Sequence, residues 1–338
     1  MKIITQLSDL PKSGTLAIFG AGTQGTILAE IIRRFCPSVQ LVAFLDDART
    51  GHPSGKPVLS VAAAGAEKNN IDAVVVTFGF NSKSVLARLQ AAGFKSIHSL
   101  HPRIDLAHMY FPEEYDGLTT RQAARDMLHP DDRPCYDRLL QARIITPSRL
   151  DEERPSAFER FPLPGRQYLD YIRLEKITCL IEGGVADGKT SCAFFENMPN
   201  LKAIIGFDPC PDIFYTSPHR TLLEHGNRFR LHPFGLWAQK EKLWVQNKGH
   251  SSRILSQPEN SSKCRAIDLV SIDAFMEESK NGVIDYIKLD VEGAELEALQ
   301  GAIRTLKRCR PQLAVSIYHS RDHMTRIPLF LNSLLDQY

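Results

Sequence analysis

KITCLIEGGVADGKTSCAFFENM (Lys176–Met198) sets an apolar run, Ile177 to Ile181, against a glycine-rich turn and a helical stretch. A short, unbroken apolar run suits a strand buried on both faces. Glu182 ends it, Gly183, Gly184 and Gly188 make the turn, and the helix continues through Ala193 and Phe194. LKAIIGFDP (Leu201–Pro209) reads as the next strand and ends in Asp208. Strand, glycine turn, helix and acid-terminated strand are the repeating parts of a doubly wound parallel α/β sheet. The spacing E-G-G-x-x-x-G is not the dinucleotide pattern G-x-G-x-x-G. Two acids around a looser turn suit a ligand with a ribose and a cationic aminoacyl group but no phosphate. S-adenosylmethionine is such a ligand: Asp208 would accept from its ribose hydroxyls and Glu182 would balance its cationic end. The competing reading is a generic α/β turn with a solvated Glu182.

Downstream, FRLHPFGLW (Phe229–Trp237) reads as a strand that leaves Gly235 beside the adenine, and KLWVQ as a hairpin strand. AIDLVSIDAFM reads as a strand ending near Asp273. IDYIKLDVEGAELEALQGAIRTLKR (Ile284–Arg308) is a core strand followed by one helix, with Leu296, Leu299, Ile303 and Leu306 on a common face. Between the apolar residues stand Asp290 and Glu292, a D-x-E pair that an extended strand would turn to one face. PQLAVSIYHS is expected as a buried strand ending at Tyr318 and His319. Ligands of open α/β sheets bind at the carboxyl ends of the strands. Glu182, Asp208, Asp290, Glu292 and His319 all fall there. Each has a plainer reading: Asp290 as a helix cap, Glu292 facing the helix dipole, His319 as a satisfied half-buried histidine.

An earlier copy of the plan is TLAIFGAGTQGTILAEIIRRF followed by LVAFLDD. Gly20, Gly22 and Gly25 form G-x-G-x-x-G between a strand and a helix, and the second strand ends at Asp46 and Asp47. IDAVVVTFG (Ile71–Gly79), SVLARLQAAGF and KSIHSLH continue the alternation to near residue 102. Such a turn either binds a nucleotide or stands as a vacant scaffold. IFGAGTQG, FLDD and GKPVLS resemble the N-terminal domain of sugar-nucleotide-modifying acyltransferases and of two-domain enzymes of surface-sugar biosynthesis. The resemblance implies a nucleotide or sugar-nucleotide ligand.

The whole chain of 338 residues, 43% hydrophobic and 24% charged, is long enough for about two domains with sizeable cores. A formal net charge of +2 with mixed signs argues against a nucleic-acid surface. No apolar run approaches the ~20 residues of a membrane span, and Asp9 and Pro11 interrupt any leader core, so a cytoplasmic protein is expected. The seven cysteines, at 36, 135, 179, 192, 210, 264 and 309, are odd in number and form no CxxC pair, which speaks against a disulfide or metal framework. Expected domains are 1–102, Rossmann-like; 103–175, a proline-interrupted helical connector, either linker or lid; and 176–338, carrying the chemistry.

IEGGVADGKTSCAFF, IIGFDPCPDIF, IDYIKLDVEGAELEALQGA and PQLAVSIYH resemble, in order, the motifs of FkbM-family methyltransferases. The resemblance covers roughly residues 130 to 338, and its most specific element is K-x-D-x-E-G-A-E. It implies a class I methyltransferase fold, S-adenosylmethionine as donor, and O-methylation of a hydroxyl on a sugar or related small molecule. Two departures stand out. Glu182 occupies a position where the family has Asp, and the sequence stops at LLDQY, where the family continues with a basic, His-containing strand and a last sheet strand. A truncated or shortened member is the expectation that follows.

On this reading Asp290 is the first candidate for general base, with Glu292 and His319 behind it, and no metal is assigned. Glu182, Gly183, Gly184, Gly188, Asp208 and Gly235 would hold the donor, while Gly20, Gly22, Gly25 and Asp46 form a second candidate site. Two alternatives compete: a nucleotide-dependent oxidoreductase, which lacks a Tyr-x-x-x-Lys pair here, and a sugar-nucleotide-binding scaffold with a degenerate methyltransferase half.

Overall fold

A computed structural model describes residues 2–65, 70–77, 82–101, 104, 106–116, 119–145, 168–246, 253–255, 264–279 and 282–334. They fall into two compact units, one from the described residues of 1–119 and 130–156, the other from those of 120–129 and 157–338. The stretch 103–175 is therefore shared between them. Pro147, Pro155, Pro162, Pro164, Gly79 and most of the 249–262 loop lie outside the described residues. No helix among the described residues is long and apolar enough to cross a membrane.

The first unit runs β1 (Lys2–Ile4), β2 (Gly14–Phe19), α1 (Thr23–Phe35), β3 (Val39–Leu45), β4 (Val58–Leu59), α2 (Val61–Ala64), β5 (Ala73–Val76), α3 (Ser82–Ala91) and β6 (Ser96–Leu100). Its six strands are ordered β1-β6-β5-β2-β3-β4, and every pairing is parallel. Leu16–Phe19 and Val74–Val76 are buried throughout, as central strands covered on both faces must be. The inner stripe of α1, Leu28, Ile31 and Ile32, packs on Ile18 and Phe44. α4 (Pro112–Asp116) and α6 (Arg133–Gln141) complete this unit, while α5 (Thr120–Asp126) belongs to the second.

The second unit follows with β7 (Cys179–Gly183), α7 (Lys189–Asn197), β8 (Ala203–Phe207), α8 (Asp212–Thr216), β9 (Phe229–His232), β10 (Gly235–Leu236), β11 (Glu241–Gln246), β12 (Arg253–Leu255) and β13 (Cys264–Val270). It ends with α9 (Ile272–Glu278), β14 (Tyr286–Leu289), α10 (Glu295–Gln300), α11 (Ile303–Cys309), β15 (Gln312–Val315) and α12 (His323–Leu334). Five strands in the order β15-β14-β7-β8-β9 form an all-parallel sheet. A smaller sheet, β10-β13-β11-β12, is antiparallel except at β10–β13. Leu296, Leu299 and Leu306 pack with Ile181, Ile287 and Leu289, so the helical stripe expected after β14 does face the sheet. The two units are thus both parallel α/β with Rossmann-like strand order.

Four local expectations are corrected. FRLHPFGLW is two strands in different sheets, because Pro233 has no N–H to continue a ladder. The strand read through AIDLVSIDAFM ends at Val270; Ser271 caps α9 by accepting from Ala274 N, which places Asp273 in a helix. The single helix expected over 293–308 is broken after Gln300, and a Cβ on Gly301 would lie 2.1 Å from Trp237 O. β15 stops at Val315, short of Tyr318 and His319.

Candidate active site

In the five-stranded sheet, β8 and β9 lie on one side of β7, β14 and β15 on the other. The crevice of such a sheet opens where the winding reverses, above the carboxyl ends of β7 and β14. The chain builds that crevice from backbone. Gly184 has φ +76°, and a Cβ there would stand 1.9 Å from Asp290 O, so only glycine lets the β7 turn approach the end of β14. Ala186 and Gly188 are also left-handed, which curls the turn back into α7.

Glu182 is not on this rim. It is fully buried, accepts a 2.5 Å hydrogen bond from Ser191 Oγ, and lies 3.8 Å from Lys288 Nζ. Burial pushes its carboxyl up, against the pull of Lys288 and Ser191. The cation it balances is internal: Lys288 Nζ also donates to Gly183 O (3.1 Å) and Gly184 O (2.6 Å), fastening the turn from below. Its carboxylate has no exposed surface to offer a ligand, contrary to the sequence expectation. Gly235 sits in β10 of the other sheet, where a Cβ would lie 2.5 Å from Leu269 Cδ2; close packing on β13 explains the glycine.

Asp208 follows β8 and remains at the rim, half-buried. Its Oδ2 accepts from Ala186 N (2.9 Å) and its Oδ1 from Cys210 N (2.8 Å). Burial raises its pKa against those two bonds. The carboxylate thus ties the glycine turn to the end of the second strand.

Asp290, Glu292 and His319 do come together. Asp290 Oδ2 accepts a 2.6 Å hydrogen bond from Tyr168 OH, and Oδ1 accepts a 3.0 Å bond from Tyr318 OH. Tyr168 is itself held by Tyr286 OH donating to its carbonyl at 2.7 Å. Burial would raise the Asp290 pKa, but the nearby Lys288 charge and the Tyr168 bond bring it below the ordinary value. Neither Asp290 nor Glu292 is in strand, since β14 ends at Leu289 and Glu292 has φ +55°. The D-x-E pair therefore does not share a strand face; a left-handed turn aims Glu292 instead. His319 Nε2 lies 3.6 Å from Asp290 Oδ1 and 3.7 Å from Glu292 Oε2. Asp290 does not cap the following helix.

The sequence reading missed Glu295. Wholly buried, its Oε1 accepts from Val291 N (2.9 Å), Gly293 N (3.4 Å) and His319 Nδ1 (2.8 Å). Its Oε2 stands 3.3 Å from His323 Nδ1. The available signal was a carboxylate on the helical stripe that also carries Leu299 and Leu306. Tyr168, Tyr318 and Lys288 were likewise not assigned roles. Donor atoms of Asp290, Glu295 and His319 lie within 4.8 Å of one another, a spacing a metal ion could use. The bonds they make among themselves and to Tyr168, Tyr318, Val291 and Gly293 account for that proximity.

In the first unit the glycine turn forms as expected. A Cβ on Gly25 would lie 1.9 Å from Gly20 O, so α1 presses directly on the end of β2. Asp46 Oδ2 accepts from Ala21 N (3.0 Å) and Oδ1 from Ala48 N and Arg49 N (2.9 and 3.1 Å), holding the turn. Beside Gly22, the N-cap of α1, stands the Arg49 guanidinium.

Residues 182–338 match the family model of the methyltransferase FkbM domain. Among solved structures, the chain is similar to methyltransferase FkbM from Methylobacillus flagellatus KT, at 17% identity and a TM-score of 0.54, over 97% of this chain and 85% of that one. This likeness concerns the fold. RSP, a Rex-family repressor, is similar at 22% identity over 27% of this chain and 46% of that one, with a TM-score of 0.25. A protein from Burkholderia thailandensis bound to S-adenosyl-homocysteine is similar at 13% identity over 47% and 48%, with a TM-score of 0.18. No curated protein matches the chain.

Proposed function

We propose, from the match of residues 182–338 to the family model of the methyltransferase FkbM domain, that the chain methylates a hydroxyl of a sugar or related small molecule, with S-adenosylmethionine as donor. The observation that carries this reading is the convergence of Asp290, Glu292 and His319 beside the glycine turn of β7, at the switch point of the sheet. The donor fits the residues present. The turn after β7 approaches the end of β14 through Gly184, and among the described residues each Asp208 oxygen takes one backbone N–H, leaving a lone pair for a ribose hydroxyl. With Glu182 buried, the carboxylates left to balance a cationic donor are Asp208, Asp290 and Glu292.

When bound, the donor supplies an electrophilic methyl group. The chain's residues hold the acceptor hydroxyl in line with it and receive the hydroxyl's proton at the rim. Positioned proton transfer of this kind contributes ~10²–10⁴-fold. A second reading, a nucleotide or sugar nucleotide at the first glycine turn, is favoured by the Arg49 guanidinium beside Gly22 at the amino end of α1.

Thermal-shift measurements test both. S-adenosylhomocysteine should stabilise the protein by an amount that rises with the logarithm of its concentration above Kd, and mass spectrometry should show one methyl added to a hydroxyl acceptor. Stabilisation by NAD without any by S-adenosylhomocysteine would replace the methyltransferase by an oxidoreductase. A nucleotide sugar acting alone would leave a binding module.

A further inference from the structure

We propose that His319 Nε2 is the atom that takes the acceptor's proton, and that Glu295 is the positioning residue that makes it so. The inference deepens the methyl-transfer reading and rests on it. Glu295 has no solvent exposure, and its Oε1 is gathered by three N–H groups: two backbone amides of the 291–293 turn and the Nδ1 of His319. A carboxylate that receives backbone amides in this way stays ionised and can only accept. His319 must then donate from Nδ1, and the neutral ring carries its lone pair on Nε2. That nitrogen lies 3.6 Å from Asp290 Oδ1 and 3.7 Å from Glu292 Oε2.

Asp290 is a poorer proton acceptor than its position first implies. Both of its oxygens already receive tyrosine hydroxyls, and its pKa is lowered. It serves better as the fixed negative charge that stabilises the imidazolium once His319 is protonated. The step balances with the donor named above. The acceptor oxygen forms a bond to the methyl carbon, the carbon–sulfur bond breaks with its electron pair going to sulfur, and the hydroxyl proton passes to Nε2. Glu295 also pins the turn that carries Glu292 at φ +55°, so one buried carboxylate sets both the base and a neighbouring charge.

Among the described residues, the charged and titratable groups facing His319 include Glu295 on α10, Asp290 and Glu292 after β14, and Tyr318, whose ring centroid is 4.2 Å away. Tyr168 and Lys288 act on it through Asp290, and His323 on α12 through Glu295.

The test reads the ring directly and by turnover. In the full chain, ¹⁵N NMR of the neutral His319 ring, assigned by its loss in His319→Gln, should show a proton on Nδ1 and none on Nε2. This measurement needs no activity, so it stands apart from the methyltransferase reading. In Glu295→Gln the tautomers should mix, kcat should fall at least ~10-fold, and the acid limb of kcat/KM should move about one pH unit lower, while S-adenosylhomocysteine still binds. Glu295→Asp should recover part of the loss. A wild-type ring protonated on Nε2, or an unchanged pH profile in Glu295→Gln, overturns the proposal. So does turnover that a chelator abolishes and Mn²⁺ restores, since the three side chains would then be holding an ion.

Discussion

The hydroxyl of Tyr168 donates to Oδ2 of Asp290 across 2.6 Å, joining the segment ahead of β7 to the end of β14. Tyr168→Phe removes this bond and leaves a half-buried carboxylate one donor short. Hydrogen bonds to charged groups are worth about 1.5–3 kcal/mol, and a loss of that size is expected in urea unfolding. The Asp290 pKa should rise at the same time, because one of the groups holding it down is gone.

Asp290→Asn keeps the shape of the rim and removes its charge. Turnover should fall by ~10² or more, while the affinity for S-adenosylhomocysteine, read by calorimetry, changes little. Unchanged turnover would take Asp290 out of the reaction.

The Lys288–Glu182 pair is buried on both sides, with side-chain exposures of 3% and 0%. Lys288→Met strands the Glu182 carboxylate, and breaking such a pair costs about 3–5 kcal/mol. The double variant Lys288→Met/Glu182→Gln should recover part of that loss, a non-additivity that a double-mutant cycle in urea detects. Additive losses would mean that the two side chains are not coupled.

Acid stability should depend on Glu295. Burial favours its neutral form, but bonds from His319 and the backbone hold its pKa at about 2 against an ordinary 4.5. A depressed acid stabilises the fold above its unfolded pKa and loses that stabilisation as pH falls through the folded one. His319, raised above 6.5 by Glu295, Asp290 and Glu292 in spite of burial, runs the other way: its share is full below 6.5 and fades as pH rises through its folded value. Their mutual support is therefore greatest between pH 4.5 and 6.5. Unfolding free energies measured across pH should show this maximum in the wild type and flatten in Glu295→Gln.

Much of the second sheet was legible because a strand covered on both faces must be continuously apolar, and Leu180–Ile181, Ile204–Ile205 and Tyr286–Leu289 nearly are. Asp290, Glu292 and His319 could be placed at one rim because strand ends in a parallel sheet share a side. What could not be read depends on atoms distant in sequence. The helix after Gly293 breaks where Trp237 O approaches Gly301, and no local propensity marks that contact. Glu182 was expected to balance the donor's cationic end, yet it is buried against Lys288, a partner more than a hundred residues away. Glu295 received no role, and only the return of the chain at His319 shows why a carboxylate sits inside.

Pairing of β1 with β6 has a consequence for synthesis. Lys2–Ile4 align with His98–Leu100, so the first strand of this sheet in chain order finds its partner only after the rest of the sheet has been made. Ile4 ends fully buried, and His101 N donates to its carbonyl at 2.9 Å. During translation β1 must wait as a short unpaired apolar segment, and its docking is a long-range, late closure of the kind that slows folding. The six-stranded sheet of the first unit should thus close in one step once residues 96–101 are available, rather than strand by strand.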